Sequence, residues 1–179
     1  TAGPVTVTED TGTVLSGTST AGSLALVSAG AITDAAAASV TVTNGASFSG
    51  TSITLADNAA DVLSVGTNAS FTASGGGAID IQAAGTANFG SLTFNTAGPV
   101  TVTEDTGTVL SGTSTGASLV LSSAGAITDD NTANVTVTGN ANFSGSAITL
   151  NDTYAFGSVT FNSAGAVTIV EADATQVTG

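Results

Sequence analysis

Apolar residues alternate with Thr, Ser or Gly over short stretches of the chain, and each stretch stops at Gly, Asn or Ala-Gly. That is the signature of short, half-buried strands. The helix signal is weak, since Ala35 to Ala38 is the one alanine run and it sits between strand patterns. Over residues 1–95 the inward positions read Val5/Val7, Val14, Leu24/Leu26, Ile32, Val40/Val42, Phe48, Ile53/Leu55, Leu63/Val65, Phe71, Ile79/Ile81, Phe89 and Leu92/Phe94, which predicts twelve strands.

The pattern then repeats. Thr1 to Thr20 return letter for letter as Thr96 to Thr115, and the offset of 95 continues through Ser39 to Asp57, which return as Asn134 to Asp152. A third copy, Phe156 to Asp173, matches Phe89 to Asp105 at an offset of 67, so the second copy lacks a block of 28 residues. Copies therefore lie near 1–95, 96–155 and 156–179. Periods of this size belong to solenoids, and the chain reads as a single segment, 1–179, of a longer repeat array.

Aligning Phe156 with Phe89 removes the Leu63, Phe71 and Ile79 strands, a group of three. A solenoid can lose only whole coils without shifting those that follow, so the deletion predicts three strands per coil and four coils per copy. The expected fold is all-β: a right-handed parallel β-helix with three faces and about seven to eight coils, roughly 35 Å long at about 4.8 Å per coil. Face A would stack Val5, Ile32, Ile53, Ile79, Val100, Ile127, Ile148 and Val167. Face B would stack Val14, Val40, Leu63, Phe89, Val109, Val135 and Phe156, and face C Leu24, Phe48, Phe71, Leu92, Leu119, Phe143 and Val159.

Composition narrows the function. The chain has no Lys, Arg, His, Cys, Met or Trp and carries 13 carboxylates, for a formal charge of -13. Without cations it cannot neutralise phosphates, which argues against nucleic acid and against anionic membrane surfaces. Without His or Cys there is no disulfide framework, no zinc site and no imidazole or thiol catalysis. No apolar run is long enough to span a bilayer.

The segments SLTFNTAGPVTVTED, SAGAITD and VTVTGNANFSGSAITL resemble the repeats of filamentous-haemagglutinin-like adhesins and of related autotransporter or two-partner-secreted passengers. The resemblance implies a secreted or cell-surface parallel β-helix. Its role would be non-catalytic: the shaft of an adhesin or extracellular filament, touching neighbouring repeats or a surface or matrix ligand. The alternative is a self-assembling filament subunit that joins end-to-end copies, since open solenoid ends expose unpaired ladders and apolar faces. It carries no binding residue over to this chain.

The candidate chemistry is acidic. Glu9, Asp10, Asp34, Asp57, Glu104, Asp105, Asp129, Asp130, Asp152 and Glu171, with Asp173, fall at or just after the ends of face A strands, with Asp61 a little further on and Asp80 within the face. The expectation is one acidic edge along the rod. Such an edge could offer oxygen ligands to Ca²⁺, or serve as a solubilising border; no EF-hand loop is present to decide between them.

Other features carry less. Thr6, Thr33, Thr54, Asp80, Thr101, Thr128, Thr149 and Thr168 would form an outward rank on face A, a pattern seen on ice-binding solenoids and equally the default for exposed strands. Catalysis on carboxylates alone would need them opposed across a cleft, and the expectation is that the chain is not an enzyme. Gly75 to Gly77 lacks the Lys and the following helix of a phosphate loop. Asn68, Asn134, Asn142 and Asn151 head N-x-S/T triplets, which matter only in a eukaryotic secretory host.

Overall fold

The computed structural model describes residues 3–82, 84–172 and 176–178. It is almost entirely strand. The first copy contributes β1 (Pro4–Glu9), β2 (Thr13–Leu15), β3 (Thr18–Ala21), β4 (Ser23–Ser28), β5 (Ile32–Asp34) and β6 (Ser39–Val42). It continues with β7 (Ala46–Gly50), β8 (Ile53–Leu55), β9 (Val62–Ala73), β10 (Ile79–Ile81) and β11 (Thr86–Asn95). The second copy opens with β12 (Pro99–Glu104), β13 (Thr108–Leu110), β14 (Thr113–Gly116), β15 (Ser118–Ser123) and β16 (Ile127–Asp129). Beyond these lie β17 (Asn134–Gly145), β18 (Ile148–Leu150), β19 (Thr153–Ser163), β20 (Val167–Ile169) and β21 (Gln176–Val177).

Every pairing is parallel and joins a strand to one in the next coil, so the chain winds a β-solenoid of about eight turns. One side is traced by β1, β4, β7 and the second half of β9, through Val7, Leu26, Phe48 and Phe71. A second side runs the whole length: Thr13, Ile32, Ile53, Ile79, Val100, Leu119, Ala141, Val159 and Val177 lie in register. A third side begins with β3, β6 and the first half of β9, through Ser19, Val40 and Leu63.

Within the coils the alternation behaves as expected. Ile32, Ile53, Ile79, Val100 and Leu119 are buried, while Thr33, Thr54 and Thr101 between the inward pairs are only part-buried. The aromatic residues form their own ladder: Phe48 and Phe71 stack with ring centroids 5.3 Å apart, and Phe89 meets Phe71 edge-on at 5.7 Å. Ala46 and Ala69, both buried, stack beside that ladder in the column that Leu24 and Leu92 continue.

The three-sided coil holds, but the predicted columns do not. Thr18–Ala21 is a strand that the apolar pattern leaves out, and β9 and β11 each cross two sides, so a copy holds thirteen strand segments rather than twelve. Thirteen is four coils and one further side. The second copy is therefore turned by one side relative to the first: β1 lies against β4 on the first side, whereas its counterpart β12 continues β10 on the second. Val5 stacks on Leu24, not on Ile32, and Ile127, Ile148 and Val167 form a separate column from Ile32, Ile53, Ile79 and Val100. Leu119 likewise leaves the Leu24 and Phe48 side, and Val14 points outward, exposed beside Thr33. The missing block remains one whole coil, because Phe89 and Phe156 are ten segments apart and keep the same one-side turn.

The turn is absorbed where the copies meet. Strand β11 pairs with β13 at Leu92 and Leu110 and with β14 at Asn95 and Thr115, so the corner between β13 and β14 sits over Thr93 and Phe94, near the C-terminal end of β11. Gly112 makes that corner at φ 61, as Gly17 does at φ 62 between β2 and β3, a left-handed conformation that suits glycine.

Candidate functional site

The carboxylates follow the turn of the copies. Glu9 ends β1, on one side; Asp34, Asp57 and Glu104 end or follow β5, β8 and β12, on the second; Asp129, Asp152 and Glu171 end or follow β16, β18 and β20, a third column. They do not form the single edge expected from the sequence. Asp173 lies outside the described residues.

Most of these side chains face main-chain N–H groups rather than one another. Where a strand ends at a corner the ladder breaks, and an unpaired buried N–H is costly. Asp34 accepts the N–H of Ala56 in the next coil at 2.8 Å. Asp61 accepts those of Ala38, in the coil before, at 3.1 Å and of Asn58 at 2.8 Å. Asp105 takes Ala87 at 2.9 Å, and Asp152 takes Ala133 at 3.0 Å. Asp129 Oδ2 accepts from Asn151 N, Asp152 N and the Tyr154 hydroxyl at 2.6, 3.1 and 2.9 Å. These charge-assisted bonds clip successive coils together.

Glu104 is the most deeply held. It is 1% exposed, and its carboxylate accepts the N–H of Phe89 at 2.9 Å and the hydroxyls of Thr106 and Thr108 at 3.1 and 2.6 Å. Burial pushes its carboxyl above the ordinary range, against the pull of those bonds. Glu171 makes the same bond to Phe156 N one repeat later. Tyr154 is buried, and burial together with the Asp129 acceptor keeps its phenol protonated at any ordinary pH. Asp130 behaves differently: exposed, it is bound by Thr132 and Ser111 and lowered from its usual pKa.

One trio among the described residues brings carboxylates together. Asp34, Asp57 and Asp61 each place an oxygen within 4.8 Å of the others. Burial raises the Asp34 carboxyl, and the charges of Asp61 and Asp57 add to the effect. Asp34 Oδ1 is buried without a hydrogen-bond partner, whereas both oxygens of Asp61 are engaged by N–H groups and Asp57 is exposed and bonded to the Asn58 amide. Three carboxylates would supply part of the roughly six to eight oxygens that Ca²⁺ takes; a proton on Asp34 relieves the same repulsion. Asp61, the most buried of the trio, lies a little beyond the strand end in sequence and joins Asp34 and Asp57 only through the fold.

Three columns of side chains also separate. Thr33, Thr54, Asp80 and Thr101 form one outward rank and Thr128, Thr149 and Thr168 another, while Thr6 pairs with Ala25. Asn68 and Asn140 play a structural part: each side-chain oxygen accepts two hydroxyls of the next coil, from Ser91 and Thr93 and from Ser158 and Thr160.

Two stretches related by the sequence offset are matched by one family, described as repeats of unknown function (DUF5649), over residues 2–64 and 97–154. The chain belongs to this family. The two DUF5649 matches begin 95 residues apart, at the sequence offset that carries the one-side turn. No curated protein and no solved structure matches the chain.

Proposed function

We propose that this DUF5649 segment is a structural shaft of a secreted or cell-surface adhesin or extracellular filament, with extension and spacing as its work and no catalysis. The observation that carries the reading is the parallel ladder running unbroken along the second side from β2 to β21 around a continuous apolar interior. Such a rod transmits length coil by coil, with stability built from nearest-neighbour contacts. The resemblance of its repeats to filamentous-haemagglutinin-like adhesins supports an extracellular setting, and the charge of -13 keeps a rod of this kind soluble.

The test has two parts. Small-angle scattering of the isolated segment should give an elongated particle about 40 Å long, and antibodies should label intact producing cells or their medium. A compact sphere, or protein confined to the cytosol, would contradict it. A filament subunit that assembles end to end is the second reading, favoured by apolar residues at both ends, where Val7 is 40% and Val177 65% exposed. Particle length that grows with concentration would select it.

A further inference from the structure

The first and second copies present the same twenty residues in two settings. In the second copy they are seated on a coil, Ile79–Asn95: Val100 and Val102 are buried on β10, Leu110 on Leu92, and Ser114 receives the N–H of Phe94 at 3.1 Å. In the first copy no coil lies beneath them among the described residues. Val7 is 40% exposed, Ser19 is exposed, and an apolar mouth of about 140 Å³ opens between Val5, Val7, Leu15, Leu24 and Leu26.

Polar groups record the same difference. Glu104 bridges Phe89 N and the Thr108 hydroxyl. Its counterpart Glu9 has turned outward to Thr11, accepting its N–H at 3.2 Å and its hydroxyl at 3.0 Å. Thr13, the counterpart of Thr108, is left with a buried hydroxyl that has no partner. Glu171 with Phe156 repeats the covered arrangement, so both glutamates that follow a preceding coil make the bond to a phenylalanine N–H.

We propose that the end formed by Pro4–Ala21 is a docking surface for a further coil of the Ile79–Asn95 class, one that brings an Asn-Phe-Gly-Ser-Leu-Thr-Phe-Asn strand whose phenylalanine N–H is taken by Glu9. The proposal rests on the shaft reading and gives it a joining rule. It continues an interface already present inside the chain, with the same residues, the same register and the same buried carboxylate. The incoming coil covers Val5, Val7 and Leu15, draws Glu9 inward, and thereby gives Thr13 its acceptor.

The test joins a second copy of Gly77–Asn95 ahead of Thr1, reproducing the natural Asn95–Thr96 junction. Hydrogen exchange at Val5 to Leu15 should slow by roughly tenfold or more, and the melting temperature should rise by about 2–4 °C. Glu9→Ala should cancel much of the gain in the extended chain and change nothing in the original. Unaltered exchange at Val5 to Leu15, whether the extension stays unfolded or folds elsewhere, would overturn the proposal. So would a Glu9→Ala effect equal in both chains, or dimers of the original chain joined through this end, which would assign it to a second copy. Scattering that still reports a rod in those cases separates loss of this joining rule from loss of the shaft itself.

Discussion

Glu104 accepts the main-chain N–H of Phe89 across two successive coils at 2.9 Å, although the two residues lie fifteen positions apart in the chain. The bond replaces a ladder contact at a corner, and two threonine hydroxyls complete the carboxylate's shell. Removing the side chain leaves a buried N–H and a buried hydroxyl without partners. Glu104→Ala should therefore cost about 2–4 kcal/mol, and Glu9→Ala less than about 0.5 kcal/mol, because Glu9 is exposed. Urea unfolding of the two variants measures the contrast, and equal costs would deny the clip.

Stability should fall as pH rises. Burial holds the Asp34 and Glu104 carboxyls above the ordinary range, so the folded chain keeps their protons more tightly than the unfolded one. Their contribution is then fully present below the ordinary carboxylate pKa of about 4 and is lost as pH climbs through the raised values. Self-repulsion at a net charge of -13 acts in the same direction. The urea midpoint should be higher near pH 5 than at pH 7.5, and Asp34→Asn should flatten part of that slope. A midpoint that rises with pH would contradict the reading.

Nearly every described acid has at least one carboxylate oxygen engaged by an N–H or O–H donor, so the expectation is a rod that holds without metal. Chelator should leave the melting temperature unchanged, and millimolar Ca²⁺ should raise it no more than an equal ionic strength of Na⁺. A rise specific to Ca²⁺ and abolished by Asp57→Asn would instead assign the ion to the Asp34, Asp57 and Asp61 trio.

Close stacking leaves some corners without room for a Cβ. One built on Gly77 would lie 1.7 Å from the carbonyl oxygen of Thr51, in backbone that cannot yield cheaply, whereas on Gly45 the nearest atom would be at 3.4 Å. Gly77→Ala should destabilise by about 2–4 kcal/mol and Gly45→Ala by less than about 1 kcal/mol, as thermal melts of the two would show.

Much of this architecture is legible in the residues. Alternation around Ile32, Ile53 and Ile79 gives the strands, and the lost block gives three strands per coil, since only a whole coil can vanish without unseating the rest. Thr18–Ala21 escapes because TSTA has no large apolar residue: Ser19 stands in the column that Val40 and Leu63 continue in the next coils. That one strand changes the arithmetic of the whole copy, and with it the partners of Val5 and the line of the acids. The carboxylates were visible as corner residues, but their acceptor role depends on which N–H groups the corners strand, and only the coil-to-coil register reveals that.

The turn of each copy by one side is most directly tested by oxidative cross-linking, which the absence of native cysteine makes clean. In the solenoid Thr6 lies beside Ala25 on the adjacent strand, and Thr33 belongs to another side. Neighbouring parallel strands about 4.8 Å apart fall within the reach of a disulfide. Cysteines at Thr6 and Ala25 should therefore oxidise rapidly in the folded protein, while the pair at Thr6 and Thr33 should stay reduced. Rapid bridging of Thr6 to Thr33, with Thr6 and Ala25 left reduced, would restore twelve strands to the copy and contradict the turn.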